Sequence, residues 1–108
     1  MKTRTELHTE LCKVLGTKNV YFQPPSNVML KYPCIIYELS DIRAIHADNR
    51  PYRLSHFYTI TFVDKNPETK APGSSSTIID TLANIPNMKY DRHYVADGLY
   101  HDVFTIYY

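Results

Sequence analysis

The feature that most constrains this chain is the pair of β-prone runs around Asp97-Gly98. Met88-Lys-Tyr-Asp-Arg-His-Tyr-Val95 leads into the dipeptide, and Leu99 to Tyr108 leads away from it. Asp-Gly between such runs marks a two-residue hairpin, because both central residues of a type I′ turn need positive φ. The last residues are thus expected to form a sheet element rather than a tail. Almost the whole sequence then belongs to one Tyr-rich β-structure, leaving loops, edges and one exposed face for activity.

A second and longer hairpin is expected upstream. Tyr32 to Leu39 starts a strand that continues to Ala47, Asp48-Asn49-Arg50-Pro51 turns, and Tyr52 to Asp64 returns. Each arm exceeds the usual five or six residues, so the hairpin should protrude from the sheet body. Its outer part, Arg43 to Leu54, is polar and mixed.

Thr3 to Leu15 reads as an amphipathic helix. Thr3 and Glu6 form a capping box, Leu7, Leu11, Val14 and Leu15 make one apolar stripe, and Gly16 suits a left-handed C-cap. Asn19 to Gln23 is a short strand stopped by Pro24 and Pro25, hence an edge or a connection. Lys65 to Ser76 reads as an exposed, mobile loop. A second helix follows, capped by Ser75, Ser76 or Thr77, with Ile78, Ile79, Leu82 and Ile85 on one stripe and Pro86 as its stop. The order α-β-β-β-α-β-β predicts an α+β domain: a mostly antiparallel sheet, two helices on one face and a long protruding hairpin.

With 108 residues, the chain is expected to be a single domain, residues 1–108, with enough core to fold without disulfide or metal support. Cys12 and Cys34 lie 22 residues apart. Two reduced, buried thiols are the favoured reading, and a disulfide between them is the alternative. The longest apolar run, Pro33 to Tyr37, is far below the roughly 20 residues of a membrane helix. Charged residues follow Met1, so no secretory signal is expected. Twelve Lys and Arg against eleven Asp and Glu leave no basic excess, which argues against nucleic-acid binding as the main task.

Candidate chemistry is sparse. His46 with Asp48 and Asp91 with His93 have ligand-like spacing, since residues two apart share a strand face, and His101 and Asp102 lie on the last strand as further candidates. No H-x-x-x-H or H-E-x-x-H accompanies them, so polar surface and interface roles are favoured over a metal site. Glu38, Asp41, Asp80 and Asp91 offer acid-base pairs no more specific than any soluble domain does. Cys34 sits in an apolar strand, Ser74 to Ser76 lack a nucleophile elbow, and three glycines cannot build a phosphate loop. No catalytic residue, cofactor or metal is expected. Tyr52, Tyr58, Tyr90, Tyr94, Tyr100, Tyr107 and Tyr108 suggest a ladder able to stack bases, though core and interface packing is favoured. At the hairpin tip, His46, Asp48, Asn49, Arg50, Pro51 and Tyr52 have a composition suited to a subunit or partner interface, against the reading of a plain exposed turn.

Several strings carry a family resemblance. Val20-Tyr-Phe-Gln-Pro-Pro25, Lys31-Tyr-Pro-Cys-Ile-Ile-Tyr37, His46-Ala-Asp-Asn49, Val63-Asp-Lys-Asn-Pro67, Asp91-Arg-His-Tyr-Val-Ala-Asp97 and His101-Asp-Val-Phe104 resemble the tail terminator (tail completion, tail-to-head joining) proteins of tailed phages. The resemblance spans about Val20 to Tyr108. It implies the same element order and a hexameric ring that caps the tail tube and meets the head connector. It also implies a place in the neck of the virion and no enzymatic residue. A ring of this kind needs two complementary patches, which a protruding hairpin and an exposed sheet edge or helix would supply. Near-neutral charge suits a lumen that DNA crosses without sticking. Small head-completion proteins are the alternative within this resemblance. A nucleic-acid-binding α+β module and a small metal-dependent hydrolase are the alternatives outside it.

Overall fold

The computed structural model describes residues 3–24, 29–47, 50–66, 70–71, 73 and 75–107, with backbone alone for strand residues 44–47 and 50–55. The elements run α1 (Arg4–Leu15), β1 (Val20–Phe22), β2 (Cys34–Ala47), β3 (Arg50–Asp64), α2 (Ile78–Ala83), β4 (Met88–Ala96) and β5 (Leu99–Tyr107). The fold is α+β, in the order expected from sequence.

The five strands form one sheet in the order β1-β2-β3-β5-β4. β1 runs parallel to β2, and the pairs β2/β3, β3/β5 and β5/β4 are antiparallel. β4 therefore runs parallel to β3 with β5 between them, and α2 belongs to the crossover that this arrangement requires. Asp97 (φ 54°) and Gly98 (φ 73°) both adopt the left-handed region, as the turn between β4 and β5 demands.

Both helices lie on one face. Leu7, Leu11 and Leu15 of α1 and Ile78, Leu82 and Ile85 around α2 pack on Val20, Ile35, Tyr37, Tyr58, Ile60, Phe62, Phe104 and Ile106. Thr3 caps α1 by accepting from the Glu6 amide at 3.3 Å, and Gly16 ends it at φ 79°. α2 is only six residues long and begins at Thr77, whose hydroxyl accepts from the Asp80 amide at 3.2 Å. So short a helix holds by packing its apolar stripe, not by its own propensity.

The described residues of the segment after β3 are exposed, as its composition suggests, with the exception of Ala71. Lys70 and Thr77 form a β-bridge, the Lys70 ammonium donates to the Ser75 carbonyl at 3.0 Å, and Ala71 is buried in the core. Ala71 is small enough to enter the interior once the bridge has satisfied the neighbouring backbone.

The hairpin of β2 and β3 reaches well beyond the sheet. β1 pairs with β2 only from Ile35 to Tyr37, and β5 pairs with β3 only from Phe57 to Asp64. The stretch from Ile42 to Ala47 pairs with residues 50–56 of β3 and with no other described strand. At about 3.3 Å per residue this two-stranded ribbon projects roughly 20 Å, and the molecule's longest dimension is 50 Å. Register shifts at Leu39/Asp41 and Ile45/His46 punctuate the ladder. A bulge of this kind bends and twists the ribbon locally.

Leu11 has no exposure and sits at the centre of the α1 contact. Leu11→Ala is expected to cost about 2–5 kcal/mol through lost burial plus the cavity it leaves, whereas Thr3→Ala should cost about 1 kcal/mol as a lost cap. Urea unfolding of the two variants measures both.

Candidate functional site

The hairpin tip singled out in the sequence falls largely outside the described residues. Asp48 and Asn49 lie outside them altogether. His46, Arg50, Pro51 and Tyr52 are described in backbone only, with His46 opposite Pro51 and Ala47 opposite Arg50. The residues lie at the far end of the ribbon, away from the helices and the core.

The histidine–aspartate pairs do not assemble as their spacing suggests. β4 carries a register shift between Tyr90 and Arg92, which inserts Asp91 as an extra residue and reverses the alternation of faces. His93 therefore shares a face with Tyr90, not with Asp91. Tyr90 and His93 converge on Asp102 of β5. The Tyr90 hydroxyl donates to Asp102 Oδ1 at 2.8 Å, and His93 Nδ1 lies 2.8 Å from the same oxygen. A carboxylate only accepts, so the Nδ1 of His93 carries the proton in this contact. Asp102 is 3% exposed and the His93 ring stacks on Tyr100 at 6.0 Å. His101, next to Asp102 in sequence, points to the opposite face and stacks on Tyr94 at 4.5 Å and 8°. Among the described residues, no three His, Cys, Asp or Glu side chains come together as a metal site.

The scattered acids stay scattered. Glu38 and Asp41 are on β2, Asp80 on α2 and Asp91 on the β4 bulge. A hydrogen bond from Arg43 at 2.9 Å holds the Asp41 carboxyl below its ordinary value. Cys12 and Cys34 are free thiols, Cys34 buried and Cys12 only partly so, in place of the two buried thiols expected. Burial, and then the charge of Asp64, pushes the Cys34 thiol up to about 11, the reverse of what a nucleophile needs.

The sheet face opposite the helices carries no described helix; it is open along the Asp41 and Glu38 rows, while Cys34, Val63 and Val103 further along it are buried. Its residues fall into rows across the strands. One row reads Asp41, Phe57, Tyr107; the next Glu38, Thr59, Thr105, Lys89. Then come Ile36, Thr61, Val103, Arg92, and finally Cys34, Val63, His101, Tyr94. Arg43 lies 4.5 Å over the Phe57 ring, Phe57 meets Tyr107 at 5.9 Å, and Arg92 lies 5.8 Å from Tyr94. The described tyrosines thus form no single ladder: Tyr58, Tyr90 and Tyr100 lie on the helix side and Tyr94 and Tyr107 on the opposite side, while Tyr108 lies outside the described residues and Tyr52 is described in backbone only. The sequence reading expected one exposed face but missed its rows and the Tyr90–His93–Asp102 cluster. Strand alternation carries the first once the register is known, but nothing local in the sequence marks the bulge that creates the second.

Loss of hydration at the hydroxyl, then the hydrogen bond to Asp102 and its charge, pushes Tyr90 from 10.0 up to about 12. A proton held more tightly in the folded chain stabilises the fold below the unfolded value and is lost as pH rises through the folded one. The wild type should therefore lose its stability advantage over Tyr90→Phe between about pH 10 and pH 12, read as the difference in urea midpoints. A difference that stays flat across that range would disprove the coupling. No family model and no curated protein matches the chain.

Proposed function

We propose that the chain is a structural component of a tailed-phage virion, a tail terminator that forms a homohexameric ring at the head-proximal end of the tail tube. In this role it ends tube polymerisation and offers a docking surface to the head connector, while DNA passes through the lumen without specific contacts. The protein is assembled in the host cytoplasm and resides in the neck. No catalysis, cofactor or metal enters this role. The observation that carries the reading is the projecting part of the β2–β3 ribbon, which pairs with no other described strand and whose outer residues, Arg43 to Leu54, are polar and mixed. A long ribbon of this kind contributes little to its own domain and suits contact with a neighbour. The resemblance of the sequence strings to the terminator group supports the same reading, and the location of the protein in an assembled particle separates it from a head-completion role.

A nucleic-acid-binding module is the second reading, favoured by the two arginine–aromatic pairs on the open face. DNA affinity that falls steeply with salt would favour it over the ring.

The tip residue Arg50 can make bidentate contacts to a neighbour's carboxylate. Arg50→Ala is expected to impair assembly onto tail tubes while shifting the unfolding midpoint little, since exposed turns contribute little stability. Electron microscopy of particles assembled with the variant, beside its unfolding curve, gives both readouts. Normal assembly of the variant, or a position away from the neck, would overturn the proposal.

A further inference from the structure

We propose that the open sheet face is a self-complementary surface on which two copies of this chain pair, sheet against sheet. The inference goes beyond the ring reading and uses a different surface.

An antiparallel sheet with one face in water normally makes that face polar. Here Ile36, Phe57, Val63, Val103, Tyr94 and Tyr107 lie on it; Val63 and Val103 are buried and Ile36 and Phe57 half-buried, while Tyr107 and Tyr94 are 46% and 41% exposed. Such a surface calls for a cover, and its charges say which. Acids stand at the β2 end and bases at the β4 end of the same face: Glu38 and Lys89 terminate one row, and Arg92 terminates the next. Arg43, also at the β2 end, is neutralised by its 2.9 Å pair with Asp41.

A two-fold axis parallel to the strands, passing between β3 and β5 midway between the two sheets, maps each row onto its reverse. Glu38 then stands over Lys89 of the second copy, and Lys89 over its Glu38. Thr59 faces Thr105 in the same row, and Phe57 faces Tyr107 in the adjacent one. Arg92 comes over Ile36, where its aliphatic stem can lie while the guanidinium reaches the rim. Charge meets opposite charge, threonine meets threonine and aromatic meets aromatic, each contact occurring twice as an isologous interface requires. The β-branched centre lets the sheets approach to about 10 Å in aligned packing. Four short rows supply fewer residues than the roughly 20–30 a side of a standard interface, so the pairing is weak and reversible. A nucleic acid would be held less well, because Glu38 and Asp41 occupy the end of the platform where phosphates would need cations.

The test is a charge swap read by sedimentation velocity over a concentration series. Wild type should show a reversible monomer–dimer equilibrium. Glu38→Lys and Lys89→Glu, each placing two like-charge contacts in the interface, should raise the dissociation constant about tenfold or more. The double variant Glu38→Lys/Lys89→Glu should regain the wild-type constant, since both contacts are restored with reversed sign. Both positions are exposed, and circular dichroism melts confirm that each variant is folded. A wild type that stays monomeric throughout, single variants that associate like wild type, or a double variant that fails to recover each overturns the pairing. Arg50→Ala should dimerise normally, which keeps failure of this interface distinct from failure of the ring.

Discussion

The structure depends on a single antiparallel ladder, β2 against β3, that serves as the middle of the core at one end and as a free ribbon at the other. From Cys34 to Leu39 it is flanked by β1 and β5, and Ile35, Tyr37, Ile60 and Phe62 are buried beneath the helices. Beyond the Asp41/Phe57 pair no described strand flanks it. The register shift at Ser40 marks the change. It places Leu39 and Ile42, three residues apart, on one side of the ribbon, where they are 37% and 48% exposed. A continuous ladder fixes the direction of the ribbon to the core more firmly than a loop would, and the cost is a few apolar side chains without cover.

Tyr37 ties α1 to that ladder. Its hydroxyl accepts from Arg4 Nη1 at 3.0 Å and lies 2.7 Å from His8 Nδ1. Arg4 is an obligate donor, and the one phenolic proton is left for His8 Nδ1 in the tautomer that carries its proton on Nε2. The ring has no exposure and packs between Phe22 at 5.0 Å and Tyr58 at 6.1 Å. Burial, eased in part by Arg4, raises the pKa of the hydroxyl, so the neutral form that makes both contacts is the one favoured. The tyrosine satisfies its polar end while filling the core, which a phenylalanine could only half accomplish.

What the sequence made legible was local. The Thr3 cap, the Gly16 stop, the leucine stripe of α1, the Asp97-Gly98 turn and the length of the β2–β3 hairpin all follow from short-range chemistry, and the element order follows from them. What it concealed was the pairing between distant strands. Asp91 and His93 look like a two-ligand strand face until the bulge turns His93 toward Asp102. The placement of Ala71 in the core was hidden because the Pro, Gly and Ser around it dominate the local pattern. The rows of the open face were hidden for the same reason: Glu38 and Lys89 share a row only because β5 is inserted between β3 and β4.

The edges of the sheet narrow how this chain can associate. β1 offers only three residues, too few to seat another strand firmly. β4 is nine residues long, but Lys89 and Arg92 stand on it and the Asp91 bulge breaks its run of backbone groups. Charge and bulges are the means by which edge strands avoid pairing with other chains. The Tyr90 and His93 contacts to Asp102 straddle the bulge and hold the defended shape in place. Of the patches weighed as partners for the hairpin, the sheet edge is thus the weaker choice and a helix surface the stronger. Any association by this chain would then rest on side chains on faces and on the ribbon, which can be specific in register without turning the sheet into a template for indefinite strand addition.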